Sequence, residues 1–254
     1  MEYDIIIIGA GIAGMTAGIY VARAGKSALV LEAGAVGGQI VTALRVDNWP
    51  GDFGASGAEL MDKIYHQMNN LGVKIAYEKV IKINDMGGGF LVKTDEAEYK
   101  CGAVIIASGT EPRRLSEEQV KDAGERAISY CATCDGALYK DKPVVVIGSG
   151  NTAKHEIKYL EGIASKVYNI HHDEPIPEDA EAIFVAIGRV PNTEVFKGFV
   201  EMDGDGYIVA GEDCKTSRLG VFVAGDCRTK TTRQLVTAAG DGAVAAMNAV
   251  QYLG

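Results

Sequence analysis

The chain has 254 residues, of which 47% are hydrophobic and 23% charged, and its net charge is −9. That length suits one large domain or two modest ones, and the acidic balance excludes nucleic acid as the main partner. Residues 5–22 carry no charge, yet Gly9, Gly11, Gly14 and Gly18 interrupt the run and Glu2 and Asp4 precede it, which excludes a membrane span or a secretory signal.

The first element, YDIIIIGAGIAGMTAG, predicts a buried parallel strand, a tight glycine turn and a helix. The turn is Gly9-x-Gly11-x-x-Gly14, and the next strand, SALVLEAG, ends on Glu32. Gly9 permits the turn, Gly11 admits a pyrophosphate and Gly14 allows close helix–strand packing. Glu32 stands where an acidic side chain accepts a ribose 2′-hydroxyl. Strand, turn, helix and acidic residue in register form a dinucleotide-binding fingerprint.

Further along lies SYCATCDGALYK, with Cys131 and Cys134 as the only closely spaced pair among five cysteines. An odd cysteine number with one CxxC suits a cytoplasmic redox protein better than a disulfide-stapled secreted one. A CxxC is either a redox dithiol or half of a zinc site. Zinc wants a second pair or well-spaced histidines; no second CxxC exists, so the redox reading is favoured and no metal is expected.

A second strand–turn–helix follows, KPVVVIGSGNTAKHEIKYLEGIASKVYNIHH, with Gly148-x-Gly150-x-x-Ala153 as its loop and Ala153, Ile157 and Leu160 on one helical face. Gly11 to Glu32 is 21 residues and Gly150 to His171 is also 21, so His171 occupies the position of Glu32. From Glu32 to the strand at Ile105 the chain runs 73 residues, whereas from His171 to the matching strand at Ile183 it runs 12. Twelve residues with two prolines cannot hold the remaining strands and helix of a nucleotide-binding half, so the second copy is a stub.

The motifs GAGIAG, GGQ (37–39), VDNWPG (46–51), IIASG (105–109), CATCDG, AIGRVPNT (186–193) and VFVAGDCRTKTTRQ (221–234), in this order, resemble the low-molecular-weight thioredoxin reductases over essentially the whole chain. The resemblance implies an α/β, two-domain fold. A discontinuous, Rossmann-like FAD-binding domain would be made of residues 1–112 and 190–254, with a truncated NAD(P)-binding-like domain, 113–189, inserted and carrying the CxxC. It also implies a homodimer, a cytoplasmic setting, and a swing of the inserted domain about hinges near residues 110–115 and 188–192. By the same resemblance Gly9, Gly11, Gly14 and Glu32 hold the adenosine diphosphate end of FAD. Gly38, Gln39, Asn48 and Gly109 lie along the rest of the cofactor, and Gly225, Asp226, Arg233 and Gln234 close its other side. Cys131, Cys134 and Asp135 carry the chemistry: electrons pass from the flavin to the disulfide, Cys131 attacks thioredoxin, Cys134 resolves the mixed disulfide and Asp135 moves the proton. Cys101, Cys214 and Cys227 are expected to be structural.

One departure bears on the electron donor. Family members that use NADPH carry an HRR…R pattern after the second strand, whose arginines pair with the 2′-phosphate. Here the residues are His171-His172-Asp173-Glu174-Pro175, with two carboxylates where a phosphate of about −2 charge would go. NADH is disfavoured too, because the acidic ribose acceptor is replaced by His171. The preserved GSGNTA loop is then expected to serve mainly as a packing turn. The pattern resembles the ferredoxin-dependent flavin thioredoxin reductases. The exchange is thermodynamically sound: plant-type ferredoxins near roughly −400 mV and thioredoxin near about −270 mV differ by about 130 mV, roughly 6 kcal/mol downhill for two electrons. An acidic ferredoxin is expected to dock on the basic stretch 214–234, at Lys215, Arg218, Arg228, Lys230 and Arg233. The alternatives are an NAD(P)H-dependent thioredoxin reductase with a degenerate site, and a non-catalytic flavin redox sensor.

Overall fold

The computed structural model describes residues 2–171 and 174–254. Two compact units emerge, Met1–Glu111 with Pro191–Gly254, and Pro112–Val190. In chain order the first begins with β1 (Glu2–Ile8), α1 (Ile12–Arg23), β2 (Ala28–Leu31), α2 (Gly57–Asn70), β3 (Lys74–Ala76), β4 (Val80–Asp85), β5 (Phe90–Thr94) and β6 (Glu98–Ile106). The short β7 (Thr110–Pro112) leads into the second unit. There follow α3 (Glu117–Ala123), β8 (Ala127–Ser129), α4 (Ala132–Asp135), β9 (Pro143–Ile147), α5 (Asn151–Leu160), β10 (Lys166–Ile170) and β11 (Ala182–Val185). The chain returns through β12 (Arg189–Pro191), which pairs with β7, and ends with β13 (Val221–Val223) and α6 (Leu235–Leu253).

The isoleucine run of β1 explains the centre of the first sheet. Ile5 and Ile7 point into one core cluster, Ile6 and Ile8 into another on the opposite face, the alternation of a strand covered on both sides. The strand order is β3-β2-β1-β6-β5-β4, with β13 also paired to β6; the pairs among β1, β2, β3, β6 and β13 are parallel, and β4, β5 and β6 run antiparallel in succession. Helix α2 starts on a reciprocal cap in which the Ser56 hydroxyl accepts from the Glu59 N–H and the Glu59 carboxylate accepts from the Ser56 N–H.

The second unit repeats this logic on a smaller scale. Its sheet, β10-β9-β11-β8, is parallel throughout. Val145 and Ile147 face one cluster, Val144 and Val146 the other. Among the described residues, β11 follows β10 with no strand between them, and no helix is long and apolar enough to cross a membrane.

Candidate active site

The first glycine loop sits where β1 gives way to α1. Gly9 donates its N–H to the Leu31 carbonyl at 2.8 Å, and its φ of +107° belongs to the left-handed region. A Cβ at Gly9 would stand 2.3 Å from the Ala107 carbonyl oxygen, and one at Gly14 would stand 1.9 Å from that of Gly9. Nothing lies within 4 Å of where a Cβ at Gly11 would be, so the loop is open on the side a pyrophosphate approaches. Glu32 accepts from the Ala10 N–H at 2.6 Å and from the Gly34 N–H at 2.7 Å, which fixes its carboxylate over the loop.

Of the other residues expected around a flavin, Gly38 and Gly225 lie against this loop and its helix, and the rest are held by bonds of their own. Gly37 bridges to Gly11, and a Cβ at Gly38 would lie 3.5 Å from the Gly11 Cα. Gln39 donates to the Thr110 carbonyl, next to Gly109, whose own carbonyl accepts from the Asn192 N–H at 3.0 Å. Asn48 donates to the Gln234 side chain at 3.2 Å. Gly225 backs onto Ala13 of α1, and Arg233 donates to the Asp226 carbonyl at 3.3 Å while its guanidinium lies 4.2 Å from the Tyr207 ring centre.

One organising residue was missed from the sequence. Asp241 of α6 accepts from the Gly225 N–H at 3.0 Å and holds both Arg228 (2.9 Å) and Lys230 (2.7 Å). Burial pushes the Asp241 carboxyl up, but the hydrogen bonds and charges of Arg228 and Lys230 outweigh it and hold the group below its ordinary range. This cluster corrects the expected ferredoxin surface. The Arg228 and Lys230 side chains are only 9% and 7% exposed and are neutralised inside the unit. Arg218 is spent on Asp85 (3.0 Å), the Phe199 carbonyl and the Phe199 ring, and Lys215 stands 3.8 Å from Asp213. The basic stretch is therefore largely internal wiring, because each cation finds a carboxylate or ring that is distant or unremarked in sequence.

The second loop keeps the same skeleton. Gly148 donates to the Ile170 carbonyl at 3.1 Å, and a Cβ there would stand 2.4 Å from the Ala186 carbonyl oxygen. His171 follows Ile170 as Glu32 follows Leu31, in matching strand registers. Its N–H is taken by the Glu174 carboxylate at 2.8 Å. His172 and Asp173 lie outside the described residues. Gly148, Ser149, Gly150, His171, Ala186, Ile187 and Gly188 line a cavity of about 250 Å³.

Cys131 and Cys134 form a disulfide with Cα atoms 5.3 Å apart, at the start and within α4. Cys134 is exposed and Cys131 half-buried, so the sulfur expected to face outward belongs to the less exposed residue. Ser129, at the end of β8, accepts from the Cys131 N–H at 3.1 Å and donates to the Asp135 carboxylate at 2.6 Å, tying the acid to the disulfide turn. From α5, which packs on Ala132 of α4 through Ala153 and Leu160, Glu156 adjoins the same turn, and its Oε2 is buried without a hydrogen-bond partner. Burial pushes the Glu156 carboxyl up to about 7, against the Ala132 hydrogen bond and the charge of Arg189. Cys101, Cys214 and Cys227 are buried as free thiols; burial pushes Cys101 up to about 12 and Cys214 to about 11, which keeps both protonated.

Two glycine-loop α/β units, one of them carrying a CxxC disulfide, define a dinucleotide-linked disulfide oxidoreductase. The pattern of the pyridine nucleotide-disulphide oxidoreductases matches residues 3–178 and 171–243, and the chain belongs to that family. It is 34% identical to a thioredoxin reductase of Bacillus subtilis (strain 168) over 299 aligned positions, covering 99% of this chain and 95% of that protein. Because those positions outnumber the 254 residues here, that relative carries residues this chain lacks. Among solved structures, thioredoxin reductase from Streptococcus pyogenes MGAS5005 superposes with a TM-score of 0.91 at 32% identity, over 99% of this chain and 98% of that one. A ferredoxin–flavin thioredoxin reductase from Clostridium acetobutylicum superposes with a TM-score of 0.64 at 29% identity, over 100% and 98%. The chain is an FAD-binding flavoprotein, and the first loop fits the cofactor: glycine where any Cβ would clash, open space at Gly11, and a fixed carboxylate at Glu32.

Proposed function

We propose that this protein is a flavin-dependent thioredoxin-disulfide reductase whose electrons come from reduced ferredoxin and not from a pyridine nucleotide. The observation that carries the reading is the second loop's discriminating corner. There Glu32 is replaced by His171, Glu174 folds onto the His171 backbone, and no arginine stands between Ile170 and β11.

Gly9, Gly11, Gly14 and Glu32 would hold the adenosine diphosphate end of FAD; Gly38, Gln39, Asn48 and Gly109 would line its course, and Gly225, Asp226, Arg233 and Gln234 would close the other side. Bound there, FAD would supply an electron pair to the Cys131–Cys134 bond. As that bond breaks, the two sulfurs accept two electrons and protons from Asp135 and solvent. The Cys131 thiolate then attacks a thioredoxin disulfide, and Cys134 attacks the resulting mixed disulfide, releasing thioredoxin as a dithiol. Ser129 orients Asp135 for this, since its hydroxyl bonds both the carboxylate and the Cys131 N–H. A homodimer in the cytoplasm is part of the same reading.

The cavity of about 250 Å³ at Gly148, Gly150 and His171 favours a second reading, a residual nicotinamide nucleotide site. The two are separated by following thiol release from thioredoxin with reduced ferredoxin, NADPH or NADH as the sole donor. Turnover with ferredoxin alone is the expected result; equal or faster turnover with NADPH overturns the proposal.

A further inference from the structure

Glu156 is a half-buried carboxyl that the reaction as derived above leaves unused. Its position follows from the helix pattern: Ala153, Ile157 and Leu160 form the packed stripe of α5, and Glu156 lies three residues on from Ala153, at the edge of that stripe. It is thus turned toward α4, whose Ala132, next to Cys131, packs with Ala153 and Leu160 in one buried cluster and whose N–H favours the charged carboxylate. Its Oε2 has neither water access nor a hydrogen-bond partner, a costly arrangement for a full charge.

The surroundings hold little else that titrates. Arg189 of β12 is the charged group acting on it. Strand β9 carries no ionisable side chain, and on β10 Tyr168 bonds both Lys166 and Asp179. On α4 itself stand Cys131's partner Cys134 and Asp135, the latter engaged by Ser129. The change in local charge that reduction brings therefore falls on the new thiolate and the two carboxyls beside it, Asp135, which Ser129 holds, and Glu156, which no side chain holds.

We propose that Glu156 is a positioning residue for the Cys131–Cys134 pair, taking up a proton when the disulfide is reduced and giving it back when the disulfide re-forms. The step balances. Disulfide and Glu156 carboxylate, with two electrons and two protons, become one thiol, one thiolate and a neutral Glu156 carboxyl. Oxidation by a thioredoxin disulfide returns both electrons and both protons, which leave on the thioredoxin dithiol. The physical cause is mutual repulsion: a thiolate and a neighbouring carboxylate whose Oε2 is buried and unpartnered cannot both stay ionised cheaply. This inference rests on the Cys131–Cys134 pair being the redox-active one.

The sign follows from linkage. If the reduced state binds an extra proton, reduction becomes less favourable as pH rises through the window that begins near 7, where the oxidised-state carboxyl ionises. The test equilibrates the holoprotein anaerobically in dithiothreitol redox buffers over a range of pH, quenches with acid, and quantifies the reduced Cys131–Cys134 peptide by mass spectrometry. Above about pH 7 the dithiol–disulfide constant of the native protein should fall by up to tenfold more per pH unit than that of Glu156→Gln, about 30 mV for a two-electron couple. Below the window the two should run parallel. Parallel lines at every pH overturn the inference alone, whereas a pair that never exchanges with the buffer overturns the redox-active reading as well. A second measurement stands even if the variant folds poorly. The reduced-minus-oxidised infrared spectrum of the native protein near neutrality should show a carboxylate band lost and a protonated-carboxyl band gained. Absence of that pair of bands in a protein whose disulfide has been reduced overturns the proposal.

Discussion

The two glycine loops share a backbone and differ in what the strand ends offer. Gly9 and Gly148 each donate to the last residue of the neighbouring strand, and each abuts the carbonyl of a residue just past a third strand, Ala107 or Ala186. Side chains then separate them. Glu32 is locked over the first loop by two backbone N–H groups, while His171 has its own N–H capped by Glu174. The first loop also has a far wall, in which Asp241 ties Gly225 against α1. The comparison teaches that the same strand–turn–helix backbone can be held by packing while the side chains at its strand ends differ.

Breaking that separation at the disulfide should have the largest effect. Cys131→Ser or Cys134→Ser is expected to reduce thioredoxin turnover to background while flavin content stays unchanged. Cys134→Ser should in addition trap thioredoxin through Cys131, as non-reducing electrophoresis would show; capture by Cys131→Ser instead would reverse the assigned roles. Next in size is Asp241→Asn, which strands Arg228 and Lys230 inside the first unit and should cost about 3–5 kcal/mol by denaturant unfolding. Because the Asp241 carboxyl is held below its ordinary range, its stabilising contribution is present above the unfolded-state value and is lost as pH falls through the lowered folded one. Acid unfolding of the native protein should therefore show a transition component that the Asn variant lacks.

Gly14→Ala sharpens the loop comparison directly. Its Cβ would stand 1.9 Å from the Gly9 carbonyl oxygen, so flavin should be lost and stability should fall by about 1–3 kcal/mol, whereas the equivalent second-loop position is already Ala153. The smallest effect is expected from Gly150→Ala, which meets open space: a melting temperature and a turnover rate within error of the native protein.

Much of this was legible in the sequence because it is local. The spacing from Gly11 to Glu32 and from Gly150 to His171 locates both loops and the residue that distinguishes them, and the burial of Ile5–Ile8 on both faces follows from an uncharged run before a glycine turn. What escaped reading depends on distant partners. Arg228 and Lys230 look like solvated charges until α6 brings Asp241 to them, and Arg218 until β4 presents Asp85. Ser129 gives no signal, since a lone serine before a CxxC is unremarkable. Glu156 did leave a trace: a carboxylate at the edge of the Ala153, Ile157 and Leu160 stripe marks a charge pointed toward the core, and the helical period alone was enough to find it.

The proposed donor assignment requires that the second loop bring no pyridine nucleotide to the flavin. The most direct measurement is anaerobic stopped-flow absorbance of the oxidised holoprotein mixed separately with NADPH, NADH and reduced ferredoxin. The flavin band should bleach rapidly and stoichiometrically with ferredoxin and stay unchanged with both nucleotides on the same timescale. Rapid, stoichiometric bleaching by NADPH would overturn the proposed donor assignment.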